Sequence, residues 1–108
     1  MNLATKVCIP YRDGQEPIRG QALQTLLHEV YGWQAVGEHH LTREFRFRNF
    51  TDTLDFANRV GRLADAQRHH PDLHVAWGRV RIDVWTHKID GLTESDFVLA
   101  AKVNEIEG

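Results

Sequence analysis

From Leu41 to Arg48 the apolar residues Leu41, Phe45 and Phe47 alternate with Thr42, Glu44, Arg46 and Arg48. This is the two-residue period of a strand with one face on a core and the other in water. A further strand-like stretch, Trp33 to Gly37, precedes it, and only Glu38, His39 and His40 lie between them. A parallel crossover takes about a dozen residues or more, so this pair must form an antiparallel hairpin. Two later strands, about Val75 to Trp77 and Val80 to Thr86, flank a turn at Gly78 and Arg79. In the last of them Val80, Ile82 and Val84 face one way and Arg81, Asp83, Trp85 and His87 the other.

Helical periodicity fills the intervals. Ala22, Leu23, Leu26, Leu27, Val30 and Tyr31 mark one face of a helix over Gln21 to Tyr31, which Gly32 ends. A second helix, capped by Thr51 or Asp52, reaches about Arg68 with Leu54, Ala57, Val60, Gly61 and Ala64 on one face. His69, His70 and Pro71 close it, because the residue before a proline is pushed out of the helical region. Thr93, Glu94, Ser95 and Asp96 form a capping-box pattern opening a third helix that runs through Ile106. The order α-β-β-α-β-β-α defines an α+β fold, a four-stranded, mainly antiparallel sheet with three helices on one face. Met1 to Gly20 lacks apolar periodicity and contains Pro10, Gly14, Pro17 and Gly20. It reads as an extended arm that carries no chemistry.

At 108 residues, with 42% hydrophobic and 26% charged composition, the chain 1–108 suits a single domain able to bury a core without staples. Cys8 is the only cysteine, which excludes a disulfide framework and a CxxC zinc site. Thirteen Lys and Arg against fifteen Asp and Glu give a net charge of −2. Nucleic-acid binding therefore lacks its usual basic excess. No apolar run approaches the roughly 20 residues of a membrane span, and the first residues lack a signal-peptide core. A soluble, cytoplasmic protein is expected.

Seven histidines are the compositional outlier. Imidazole titrates near pH 6.5, so its placement bears on proton chemistry. Asp65, His69, His70, His74, His87 and Asp96 all fall near element ends, where a rigid scaffold commonly holds functional groups. Asp65 and His69 are four apart and share a helical face if the helix persists. Each also has a structural explanation: the His pair suits a helix C-terminus, and Asp96 suits a helix N-terminus. His28, His39, His40 and His74 read as surface or structural residues, and Trp85 as a packing residue on the face it shares with His87. A metal site is disfavoured, because Pro71 interrupts the helix between His70 and His74.

Taken together, Asp65, His69-His70-Pro71, Trp77, His87 and Asp96 keep a set of spacings that resembles the pterin-4a-carbinolamine dehydratases. Members are also known as dimerisation cofactors of a homeodomain transcription factor. The similarity extends from about Trp33 to Ala101. It implies dehydration of a 4a-hydroxytetrahydropterin to a quinonoid dihydropterin, recycling the cofactor of aromatic amino acid hydroxylases. It further implies that His69 and His87 are the acid/base pair and that His70 binds substrate and stabilises charge. Asp65 would support His69, and Asp96 would orient His87 or its neighbours. Pro71 would shape the loop, and Trp77 or Trp85 would pack on the pterin ring. Many members have Glu where this chain has Asp65. The resemblance implies no metal and no organic cofactor, a small-molecule pterin substrate and a homodimer or homotetramer. The alternative it leaves is a non-enzymatic assembly or coactivator module of the same fold.

Overall fold

The structure, a computed structural model, describes residues 2–107. Its elements are α1 (Gly20–Leu27), β1 (Gln34–Val36), β2 (His40–Arg46), α2 (Phe50–Gln67), β3 (Asp72–Ala76), β4 (Arg79–Val84) and α3 (Glu94–Glu107). The sheet order is β1-β2-β4-β3, and every neighbouring pair is antiparallel. Element order and class are those the periodicity predicts, with the sheet wholly rather than mainly antiparallel.

Alternation sorts the sheet's two faces. Leu41 and Phe45 of β2 and Val80, Ile82 and Val84 of β4 are buried against the helices, with Phe56, Val60, Phe97 and Leu99 among the residues that complete the core. Phe56 sits between Phe45 and Phe47, ring centroids 4.7 and 5.1 Å away. Removing so buried a ring costs about 3–5 kcal/mol. The other face carries charge, with Glu44 bridging Arg46 and Arg79, and Asp83 bridging His74 and Arg81.

Several boundaries move for local reasons. The first helix stops at Leu27 and the chain continues through turns, with Val30 N–H donating to Leu27 O. Asn49, rather than Thr51 or Asp52, caps α2: its side-chain oxygen accepts from Asp52 N–H at 2.7 Å. β3 begins at Asp72, immediately after Pro71, because pairing with β4 extends it to Asp72 opposite Asp83. Trp77 and Gly78 form the β3–β4 turn, where Gly78 has φ +74° and an added Cβ would stand 3.0 Å from Phe47 O. That conformation and that gap both favour glycine.

The amino-terminal arm is docked rather than loose. Leu3 is buried, Lys102 Nζ donates to Ala4 O at 2.8 Å, and Lys6 pairs with Glu94 at 3.1 Å. These contacts tie the arm to α3.

Candidate active site

The end of α2 makes adjacent histidines diverge. Arg68 adopts the left-handed conformation (φ 54°), and His69 N–H donates back to Ala64 O at 3.2 Å, a reversal common at helix C-termini. Pro71 then prevents the helix from resuming. His69 consequently turns inward and His70 outward: the His69 side chain is 13% exposed, and His70 is largely in solvent.

Beneath His69 lies Asp96, in the first turn of α3 and 0% exposed. One carboxylate oxygen, Oδ1, meets His69 Nε2 at 2.5 Å. The other, Oδ2, accepts from Thr93 N–H and from the Thr86 hydroxyl, each at 2.9 Å. Thr86 has one hydroxyl proton and gives it to Asp96, so in its 2.9 Å contact with Thr93 the Thr93 hydroxyl is the donor. The capping function and the histidine contact of Asp96 are thus served by different oxygens. A buried carboxylate needs this saturation by donors to remain charged away from water. With Asp96 ionised, His69 must carry its proton on Nε2, leaving Nδ1 with no hydrogen-bond partner among the described residues. Nδ1 is then the ring nitrogen able to accept a proton.

β4 brings the second imidazole. Just beyond it, His87 opens a short helical turn, His87–Ile89, and its ring meets Trp85 edge-on at 4.6 Å between centroids. Trp85 also packs on His39 and His40, at 5.1 and 5.8 Å. His39 Nε2 lies 2.7 Å from Asp90 Oδ1, which ties the β1–β2 turn to the segment carrying His87.

These ends surround a cleft of about 560 Å³, lined by three stretches of chain: Ala66–His70, Trp85–Lys88 and Val7–Tyr11. The last belongs to the arm to which the sequence pattern assigns no chemistry. Its short run of residues holds no periodicity that reveals a tertiary destination. Burial, with the nearby Asp96 charge, pushes the Cys8 thiol up to about 11, so it is protonated and unreactive at neutral pH. Among the described residues, no three His, Cys, Asp or Glu side chains are grouped to hold a metal ion.

Three placements, those of Asp65, Trp77 and Pro71, differ from the sequence expectation. Asp65 pairs with His70 at 2.9 Å, not with His69, because the left-handed Arg68 rotates His69 off the Asp65 face. Asp96, implied to orient His87 or its neighbours, bonds His69 and Thr86, the residue next to His87. Trp77, 71% exposed, sits in the β3–β4 turn at the opposite end of β4 from His87 and does not line the cleft. Pro71 lines a separate shallow groove beside α2, with Asp65, His70 and Leu73.

The fold and site define a small α+β protein with a cleft lined by His69, His70 and His87 and a buried carboxylate behind His69. A family model for pterin 4 alpha carbinolamine dehydratase matches residues 16–106, and the chain belongs to that family. It is 58% identical over 104 residues to a Rubrobacter xylanophilus protein placed under the same name, covering 96% of this chain and 97% of that one. It is 44% identical over 111 residues to pterin-4-alpha-carbinolamine dehydratase 2, mitochondrial, of Arabidopsis thaliana, covering 98% of this chain and 59% of that one. Among solved structures, a transcriptional coactivator/pterin dehydratase from Brucella melitensis superposes with a TM-score of 0.80 at 32% identity, over 86% of this chain and all of that one. No helix among the described residues is long and apolar enough to cross a membrane.

Proposed function

We propose that this pterin-4a-carbinolamine dehydratase works by histidine general acid–base catalysis, with His69 as base and His87 as acid. The C4a–O bond of the 4a-hydroxytetrahydropterin breaks and its oxygen leaves as water, taking a proton from His87. A ring N–H proton passes to His69 Nδ1, and the electron pair left behind forms the C=N bond of the quinonoid dihydropterin. The observation that carries this assignment is the His69–Asp96 bond: a buried carboxylate behind Nε2 stabilises the imidazolium that His69 becomes. His87 has no such carboxylate contact among the described residues and suits the donor role. Asp65, bonded to exposed His70, orients that ring at the cleft mouth, where His70 contacts substrate. Trp85 offers a flat face to the ring. The cleft is within the range of about 300–1,000 Å³ usual for small-molecule sites. The product is one that a reductase recycles for an aromatic amino acid hydroxylase.

The test is quinonoid dihydropterin formation from freshly generated carbinolamine, followed above the spontaneous rate. His69→Ala and His87→Ala are expected to lose on the order of 10²-fold or more in kcat. Asp65→Ala is expected to lose less, since exposed ion pairs contribute about 0–1 kcal/mol. Wild-type rates in both histidine variants would remove the mechanism. They would leave the assembly-module alternative, in keeping with the similar Brucella protein, a transcriptional coactivator/pterin dehydratase.

A homo-oligomer belongs to the same proposal. β3 is a free sheet edge, and exposed Val75 and Leu54 lie beside it in the groove against α2. Unpaired strand edges favour association. A monomer by light scattering at micromolar concentration would refute the oligomer.

A further inference from the structure

We propose that the arm segment Val7–Tyr11 is the substrate-holding wall of the cleft, positioned by Ser95 and Gln67, and that it sets affinity for the pterin ring rather than the rate of the chemical step. The inference rests on the pterin reading of the cleft.

The segment is built in. Ser95 Oγ accepts from Ile9 N–H at 2.8 Å and donates to Ile9 O at 3.1 Å, serving both backbone groups of one residue as a neighbouring strand would. Gln67 Oε1 accepts from Cys8 N–H at 2.9 Å. Ser95 precedes Asp96 in the first turn of α3, and Gln67 ends α2 two residues before His69. The helix ends that hold the His69–Asp96 pair therefore also set the register of the arm. On the near side Leu3, Ala4 and Lys6 fix the arm to the core and to α3. On the far side Ile18 N–H donates to Leu92 O at 2.8 Å.

The surface presented is apolar and neutral. Val7 and Ile9 line the cleft yet are 67% and 53% exposed. Pro10 and the Tyr11 ring continue the wall, and the only ionisable group between Val7 and Pro10 is the protonated Cys8 thiol. Such a wall suits an uncharged heterocyclic ligand, whose ring face would cover the side chains now open to water. It makes no contact with the Asp96 carboxylate oxygens, whose partners are His69, Thr86 and Thr93. That separation assigns it to binding. The family match begins at residue 16, so this wall lies outside the matched region, unlike the two that carry the histidines.

The experiment combines dehydration kinetics with binding of biopterin, a fully oxidised and fluorescent pterin, as the probe. The proteins are wild type, Ile9→Asp, Tyr11→Ala, Ser95→Ala, and Val36→Asp as an exposed control away from the cleft. Ile9→Asp alters an exposed side chain and Tyr11→Ala a half-buried one outside the core, and thermal melts check that both variants stay folded. Both, with Ser95→Ala, are expected to raise KM and the probe's Kd by about tenfold, with kcat held within about twofold. Val36→Asp is expected to leave both unchanged. Unchanged KM and Kd in Ile9→Asp and Tyr11→Ala, with an active wild type, overturn the wall while sparing the dehydratase. A fall in kcat at constant KM also overturns it. Probe binding weakened by the arm variants, in a wild type that does not dehydrate carbinolamine, sinks the catalytic reading and keeps the wall. A wild type that neither binds nor turns over sinks both.

Discussion

Replacing Asp96 by Asn isolates the charge behind His69 at nearly constant shape. Oδ2 now accepts from Thr86 and Thr93, and Oδ1 faces His69 Nε2. An amide has one oxygen to offer. If that oxygen keeps Thr86 and Thr93, the NH2 group points at Nε2 and His69 must move its proton to Nδ1. The nitrogen assigned to accept the substrate's proton then becomes a donor. In a serine protease triad, the same change of tautomer lowers kcat by about 10⁴. The loss here is expected on the order of 10²–10⁴, the usual span of a general base. Stability is expected to fall less dramatically. A charge-assisted hydrogen bond contributes roughly 1.5–3 kcal/mol and a neutral one roughly 0.5–1.5, so exchanging the His69 contact costs about 1–2 kcal/mol. For a domain of this size that is a drop in Tm of about 4–16 °C. The enzyme therefore stays folded at 25 °C while losing activity. Stopped-flow formation of quinonoid dihydropterin measures the first effect and thermal unfolding the second. Activity of Asp96→Asn within about threefold of wild type, with the fold intact, would refute the argument that this carboxylate selects the tautomer of the base.

Three further outcomes follow from the same geometry. The Cys8 thiol, pushed up from 9.0 to about 11, should react with iodoacetamide at pH 8 on the order of 10²-fold more slowly than a free thiol. Because the folded value is the higher one, its contribution to stability is complete below pH 9 and is lost as pH rises towards about 11. Cys8→Ser should remove that part of the alkaline slope in parallel melts, and equal slopes would contradict the shift. Trp85→Ala should raise KM by about tenfold or more, the scale of aromatic stacking on a heterocycle, while Trp77→Ala leaves it within about twofold. The reverse pattern would mean that the β3–β4 turn, not the end of β4, meets the substrate.

Much of the fold was legible because its signals are short-ranged. The alternation in β2 and β4 and the brief turns between strands make antiparallel pairing unavoidable, and the capping pattern from Thr93 to Asp96 marks the start of α3 within a residue. Asn49, Thr51 and Asp52 are all competent N-caps of α2, and the extended backbone at Asn49 decides among them. The tail of the first helix was overestimated because Val30 is buried without being helical. In the site, the spacing of His69, His87 and Asp96 is read directly from the chain; the structure lines one cleft with His69 and His87 and sets Asp96 behind His69. The family resemblance pairs Asp65 with His69, and a count of four residues along an unbroken helix agrees, but a single left-handed residue, Arg68, makes the count fail.

The sequence by itself determined the order of elements, the antiparallel sheet, the break at Pro71 and the family signature. These depend on steric and hydrogen-bond preferences between residues close in the chain. The tertiary structure alone decided which carboxylate faces which histidine, which tryptophan stands at the cleft and that the arm forms its third wall. His69 and Asp96 are 27 residues apart, and Ile9 and Ser95 are 86 apart. Contacts at that separation are set by how helix ends pack over a shared core, and the local pattern around either residue carries no record of its partner.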